Sequence, residues 1–259
     1  MGETQGVLLD IDGVLTVSWQ ALPGAVETIA WLRRKGMPFR LITNTTTHTR
    51  RDLAGTLGTA GLGVEPDEIV TAVVATASYL RTHHTGALVS VLSDGDARED
   101  LDAVELVDID EAEVVVLGGA GEDFTYPTVN RVFRRLAEGA TLVGMHRNLY
   151  WRTAEGWQLD GGAYIAGLEE ATGRKAAICG KPSPAYFEEA LRRLGLPADR
   201  AVMVGDDVVN DVLGAQGAGI TGVLVRTGKF LATDLERASG TPDHVLDSIA
   251  DLPAWLEAR

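Results

Sequence analysis

Two short apolar runs constrain this chain more than any other feature. Val7-Leu8-Leu9 is broken off by Asp10 and Asp12, and Ala201-Val202-Met203-Val204 is broken off by Gly205-Asp206-Asp207. A compact apolar run bounded by turn formers is the pattern of a strand buried on both faces of a parallel sheet. Phe39 to Ile42 and Gly222 to Val225 repeat it, and Val89 to Leu92, Val114 to Leu117 and Thr141 to Val143 repeat it again mid-chain. Helical patterns lie between these runs. One opens at Pro23-Gly24 and stops at Gly36, and one passes Leu53 and Leu57 to end at Gly61. Others cover Thr128 to Leu136, Tyr164 to Ala171 and Asn210 to Gly217, and a short helix from Pro253 through Leu256 closes the chain. Such alternation predicts an α/β fold, a Rossmann-like doubly wound parallel sheet. The middle of the chain has its own complete alternation. We therefore expect residues 1–72 and 178–259 to form one domain and 73–177 an inserted α/β domain.

Composition narrows the function. Of 259 residues, 45% are hydrophobic and 23% charged, enough to bury a sizeable core. The net charge of −14 disfavours nucleic acid and anionic membranes as partners. A small phosphorylated substrate stays compatible, because a local site can be positive on an acidic protein. Cys179 is the single cysteine and ends an apolar stretch, so it reads as a buried core residue rather than a catalytic thiol. No apolar run approaches the roughly 20 residues of a membrane span, and Met1 to Gly6 lacks a signal-peptide pattern. A cytoplasmic location is the resulting expectation, and a homodimer is left open.

The acidic strand ends carry the chemistry. Ligand sites in open parallel sheets lie at the carboxyl ends of strands. Asp10 and Asp12 alternate along extended chain, and Gly13 then lets the backbone turn. Carboxylates this close repel unless a cation or a proton separates them, and a hard oxygen-ligated cation such as Mg²⁺ suits them. The plainer alternative is a pair of turn-forming aspartates. Asp206 and Asp207 form a second cluster, with Asp211 one helical turn beyond; an N-cap with first-turn acids is the alternative there. Thr43-Asn44-Thr45-Thr46 follows another strand and offers hydroxyls, an amide and backbone N–H groups to phosphate oxygens. Lys181, in Gly180-Lys181-Pro182, is a cation that balances phosphate charge if the fold brings it near the acids.

In this order, Asp-x-Asp-Gly, Thr-Asn, Lys and Gly-Asp-Asp-x-x-x-Asp resemble the haloacid dehalogenase (HAD) superfamily of phosphatases across essentially the whole chain. The insertion between Thr43 and Lys181 looks like the large α/β cap of the NagD-like branch. Gly180-Lys181-Pro182-Ser183-Pro184 and Val225-Arg226-Thr227-Gly228-Lys229-Phe230 strengthen the resemblance. It implies a HAD-like core with Asp10 as nucleophile and Asp12 as the acid/base. It also implies Mg²⁺ held by the Asp10 carboxylate, the Asp12 backbone carbonyl and the Asp206 side chain. Thr43, Asn44 and Lys181 would hold the phosphoryl group, and Asp207 and Asp211 would support the metal and orient Lys181.

One stretch departs from the family pattern. Many NagD-like caps carry Ala-Thr-Asn-x-Asp after a strand, where this chain has Gly144-Met145-His146-Arg147-Asn148. His146, Arg147 and Asn148 are thus candidates for substrate selection. Trp151 and Trp157 read as cap core ahead of the alternative, substrate-facing residues, and His48, His83, His84 and His244 read as surface residues. Three other activities share part of this motif set. A halide-releasing enzyme has little need of Asp12 or a metal, a phosphomutase shares the core motifs, and a binding module would retain phosphate and Mg²⁺ without turnover.

Overall fold

The computed structural model describes residues 4–102, 104–153 and 156–258. Of the N-terminal stretch read for targeting, Met1 to Glu3 lie outside the described residues. The chain divides into two compact units. The first comprises residues 1–43, 50–70 and 181–259, and the second comprises 44–49 and 71–180. The short segment Asn44–Thr49 therefore packs with the inserted unit, which the sequence did not suggest. Thr46 Oγ1 there accepts the Gly119 N–H at 3.0 Å, and the Thr47 carbonyl accepts the Asp96 N–H at 3.2 Å.

The first unit is built on a six-stranded sheet. Its spatial order is His244–Leu246, Thr221–Val225, Ala201–Gly205, Gly6–Asp10, Phe39–Thr43 and Ile69–Thr71. The pairings from His244–Leu246 through Phe39–Thr43 are parallel. Val7 and Leu9 point to one face, where helices Ala25–Lys35, Arg50–Thr59 and Leu252–Glu257 supply Ile29, Leu32, Leu53, Leu57 and Leu252. Leu224 points to the other face, against Val208 and Val212. Burial on both faces is why these strands read as unbroken apolar runs. Gly36, with φ 64°, closes the first helix in the left-handed region that favours glycine.

The second unit repeats the plan with a five-stranded sheet, in the order Ala177–Ile178, Thr141–Gly144, Val114–Leu117, Leu88–Leu92 and Glu105–Leu106. All four pairings are parallel. Helix Ala72–His83 covers one face through Val73, Ala77 and Leu80. Helices Tyr126–Ala137 and Gly161–Thr172 cover the other through Val132, Leu136, Ile165 and Leu168. Cys179 is fully buried in the first of these cores, and burial pushes its thiol up to about 12. It is an inert packing residue. No helix among the described residues is long and apolar enough to cross a membrane.

Two sequence expectations need correction. Asn210 to Gly217 is not one α-helix: Val208–Leu213 is a π-helix that passes into a short α-helical turn, Gly214–Gly217. The Val212 N–H reaches back five residues to the Asp207 carbonyl at 3.2 Å. Trp151 and Trp157 are not core either. They lie on an antiparallel hairpin, Tyr150–Thr153 with Gly156–Leu159, and are 49% and 69% exposed. Trp157 rests edge-on against Tyr150, ring centroids 5.3 Å apart. Accordingly, Trp157→Ser should cost no more than about 1 kcal/mol of unfolding free energy in a urea titration, the scale of one aromatic pair. A loss of about 3–5 kcal/mol, the scale of a buried aromatic, would contradict this placement.

Candidate active site

Sheet register brings the acidic segments to one edge of the first unit. Leu9 pairs with Val204 and Asp10 with Ile42, so Asp10, Gly205-Asp206 and Thr43 leave the sheet side by side. Asp10 is buried at the last position of its strand. Asp211 arrives from the π-helix and lies against the neighbouring strand end. A Cβ on Gly205 would sit 2.2 Å from the Asp211 Cβ, so only glycine leaves room for it. Carboxylate oxygens of Asp10, Asp206 and Asp211 all lie within 4.8 Å of one another.

Lys181 is the cation in this cluster. Its Nζ donates to Asp10 Oδ1 at 2.5 Å and to Asp211 Oδ1 at 2.7 Å, with all three side chains buried. Burial alone would lower the lysine pKa, but Asp10 and Asp211 outweigh it and hold the ammonium well above the ordinary lysine range. Burial raises Asp10 well above the ordinary carboxylate range; Lys181 opposes this, and Asp211 and Asp206 add to it. Burial also lifts Asp206 to about 6, against the Lys229 N–H that lowers it.

One atom stands out. Asp206 Oδ2 accepts the Lys229 N–H at 2.6 Å, while Asp206 Oδ1 is buried with no hydrogen-bond partner. An orphaned carboxylate oxygen facing two further carboxylates, with one lysine among three acids, fits a divalent cation with oxygen ligands. The converging carboxylates are Asp10, Asp206 and Asp211, of which Asp211 is already engaged by Lys181 and by the Asp207 N–H at 3.2 Å. Asp12 lies two residues past Asp10 and is half-buried.

The remaining sequence candidates fall into place unevenly. Thr43 is buried beside Tyr186, a residue the sequence reading missed. The Tyr186 hydroxyl accepts the Thr43 N–H at 2.8 Å and lies 2.6 Å from the Val70 carbonyl. Thr43 ends a segment of the first unit, and Asn44 belongs to the second. Asp207 does not reach Lys181 with its side chain. It accepts the Val209 and Asn210 N–H groups at 3.0 and 2.9 Å and thus caps the π-helix.

In the inserted unit, His146 is only 3% exposed. Its Nδ1 accepts the Asn148 N–H at 3.2 Å, and burial lowers its pKa against the opposing Asp160. A side chain so enclosed is placed to shape its loop. Arg147 forks onto buried Glu169, which also accepts the Ala176 N–H at 2.9 Å. Both residues thus have internal partners that the sequence did not suggest, while Arg147 and Asn148 are exposed. Burial pushes the Glu169 carboxyl up, but the Arg147 and Ala176 hydrogen bonds outweigh it and hold it below the usual glutamate range. A depressed carboxyl contributes stability above its unfolded pKa and loses it as pH falls through the folded one.

A haloacid dehalogenase-like hydrolase family model matches residues 7–107, and a HAD-hydrolase-like model matches 178–252. The chain is 37% identical over 256 residues to human haloacid dehalogenase-like hydrolase domain-containing protein 2, covering 95% of this chain and 97% of that protein. The chain belongs to the haloacid dehalogenase-like hydrolases. It is also 36% identical over 253 residues to phospholysine phosphohistidine inorganic pyrophosphate phosphatase of Rattus norvegicus, covering 95% of this chain and 92% of that one. Among solved structures, p-nitrophenyl phosphatase from Archaeoglobus fulgidus superposes with a TM-score of 0.90 at 31% identity over 100% of both chains. NagD from E. coli K-12 gives 0.89 at 29% identity, covering 96% of this chain and 98% of that one. The Asp10–Lys181–Asp206–Asp211 cluster is the candidate site for the activity of such a hydrolase.

The Arg147–Glu169 pair generates a test. Arg147→Ala should lower unfolding free energy by about 1–3 kcal/mol at neutral pH, because it strips a buried carboxylate of its hydrogen-bonded cation and leaves only Lys175, 3.6 Å away and exposed. Urea titrations should show the deficit shrinking as pH falls and Glu169 is protonated. A wild-type titration curve would remove this role.

Proposed function

We propose that the chain is a Mg²⁺-dependent phosphatase of small phosphorylated metabolites that works through an aspartyl-phosphate on Asp10. The observation that carries this reading is the buried Lys181 ammonium bridging Asp10 and Asp211 beside the unpartnered Asp206 Oδ1. Phosphoryl transfer needs positioning and charge neutralisation above all, and this cluster is arranged for both. The relatives named for p-nitrophenyl phosphate and for phospholysine, phosphohistidine and pyrophosphate support a phosphate substrate class. A phosphomonoester is the first candidate, with pyrophosphate or a phosphoramide after it.

The Asp10 carboxylate attacks phosphorus, and the bond from phosphorus to the leaving oxygen breaks. Asp12 gives its proton to that oxygen. Asp12 then takes a proton from water, whose oxygen attacks the phosphorus of the aspartyl-phosphate. The acyl oxygen–phosphorus bond breaks, releasing phosphate and restoring Asp10. Lys181 and the Thr43 and Asn44 groups hold the phosphoryl oxygens, and Asp211 keeps Lys181 in place. The Asp10 and Asp206 carboxylates and the Asp12 carbonyl would hold Mg²⁺, which supplies positive charge against the phosphoryl oxygens. None of these groups can recognise the rest of a substrate, so we assign selection to the inserted unit, with Asn148 as its exposed loop candidate.

Asp10→Asn should abolish phosphate release from p-nitrophenyl phosphate while leaving the unfolding transition near that of the wild type. Substantial turnover, with deamidation excluded by mass, would remove Asp10 as nucleophile. The raised Asp206 gives a pH test. Below about 6 this carboxyl is protonated in the metal-free protein, so Mg²⁺ must displace a proton to bind. Calorimetric Mg²⁺ affinity should hence fall as pH drops through 6. Affinity flat from pH 7.5 to 5, about the window of this titration, would contradict Asp206 as a ligand.

A further inference from the structure

The segment Thr227-Gly228-Lys229-Phe230 follows the Thr221–Val225 strand and takes no part in the steps above. It nevertheless touches both acidic strand ends of the first unit. Thr227 Oγ1 donates to the Gly13 carbonyl at 2.5 Å. The Lys229 N–H donates to Asp206 Oδ2 at 2.6 Å. The Phe230 N–H returns to the Thr227 carbonyl at 3.2 Å, closing the segment into a tight turn.

Gly228 sits at the crossing. Its φ is 62°, and a Cβ there would lie 2.1 Å from Asp206 Oδ2 and 2.4 Å from the Gly13 Cα. Gly13 meets the same wall from the other side: with φ 92°, a Cβ on it would lie 2.0 Å from Asp206 Oδ2 and 2.9 Å from the Gly228 Cα. Two glycine backbones are thus in contact, with the Asp206 carboxylate lodged against both.

The consequence for Asp12 follows from peptide planarity. The Asp12 carbonyl and the Gly13 N–H belong to one rigid plane and point in opposite directions. The Gly13 N–H is tied to the Thr16 carbonyl at 2.7 Å, which sets that plane. The next plane, carrying the Gly13 carbonyl, is set by Thr227. Gly13 has no Cβ to restrict its own torsions, so hydrogen bonds on both sides are what fix the direction of the Asp12 carbonyl.

We infer that Thr227 is a positioning residue for the divalent-cation site, clamping the Asp12–Gly13 turn against the turn that holds Asp206. The inference rests on the assignment of the Asp12 carbonyl and Asp206 as cation ligands. The Lys229 N–H occupies Asp206 Oδ2 and leaves Oδ1 as its free ligand atom, while Thr227 holds the Gly13 carbonyl and so steadies the turn that carries the Asp12 carbonyl from the other strand. One turn so sets the spacing of two ligands that come from different strands. The sequence reading singled out this stretch only as a family likeness, without a task for it.

The test is calorimetric binding of Mg²⁺ alone to the full chain, for wild type, Thr227→Val and Thr227→Ser. Valine keeps the shape and removes the donor, whereas serine keeps the donor. Thr227→Val should bind Mg²⁺ about 10-fold or more weakly, the usual effect of losing a partner that orients a metal ligand. Thr227→Ser should restore most of the affinity, and the metal-free melting temperatures of all three should stay close. Wild-type affinity in Thr227→Val, or equal weakening in Thr227→Ser, would overturn the positioning role while leaving the cation site standing. No Mg²⁺ binding by the wild type would overturn the cation site and the inference with it. Should Thr227→Val fold poorly, Thr227→Ala carries the same comparison. Misfolding of both would overturn the inference in favour of a purely structural role.

Discussion

The Lys181 ammonium lies between the Asp10 and Asp211 carboxylates, 2.5 and 2.7 Å away, with no substantial exposure of any of the three. A buried ion group of this kind survives only when each charge has a close, well-oriented partner. Here the acids outnumber the lysine, since Asp206 joins the same cluster. The residual negative charge explains why burial and mutual repulsion push Asp10 and Asp206 upward, and why Asp206 Oδ1 has no partner. The cluster is electrostatically incomplete, and a divalent cation with oxygen ligands would fit it.

The surrounding fold holds this unfavourable grouping in place. Strands buried on both faces end at one edge in register, so the acids project from a rigid scaffold rather than from mobile loops. Gly205 admits Asp211, and the Gly13–Gly228 contact admits Asp206. The π-helix belongs to the same logic. Its wide turn starts from the Asp207 cap and carries Asp211 to the lysine. Such turns recur where a side chain must be re-aimed toward a site. Tyr186 supports Thr43 from behind, with its hydroxyl joining the Thr43 and Val70 backbones.

Much of this was legible in the sequence because strand burial and strand-end chemistry leave local signatures. Val7-Leu8-Leu9 before Asp10, and Ala201 to Val204 before Asp206, mark both the sheet and its functional edge. What escaped the sequence has no local signature. Helix Ala72–His83 is buried on most sides, so its apolar residues do not form a clean stripe. Tyr186 lies in helix Pro184–Leu194, whose Ser183-Pro184 start was a signal, but nothing nearby tells that its hydroxyl reaches Thr43, 143 residues away. Thr227 reaches Gly13 across 214 residues, and only the sheet order makes them neighbours. His146 and Arg147 look like a polar recognition loop in one dimension, but His146 is buried against Asp160, and Arg147, still 43% exposed, is paired with Glu169, a partner 22 residues away that the sequence does not reveal. Trp151 and Trp157 err the other way, since a two-stranded hairpin leaves large side chains on the surface.

The central claim is that Asp10 itself carries the phosphoryl group. Acid quenching during turnover of p-nitrophenyl phosphate, followed by borohydride reduction and peptide mass mapping, reads this directly. An aspartyl-phosphate is reduced to the alcohol, so the account predicts homoserine at position 10 and at no other aspartate. Reduction at Asp12, Asp206 or Asp211, or an unmodified Asp10 under conditions that trap an aspartyl-phosphate in a control phosphatase, would contradict it.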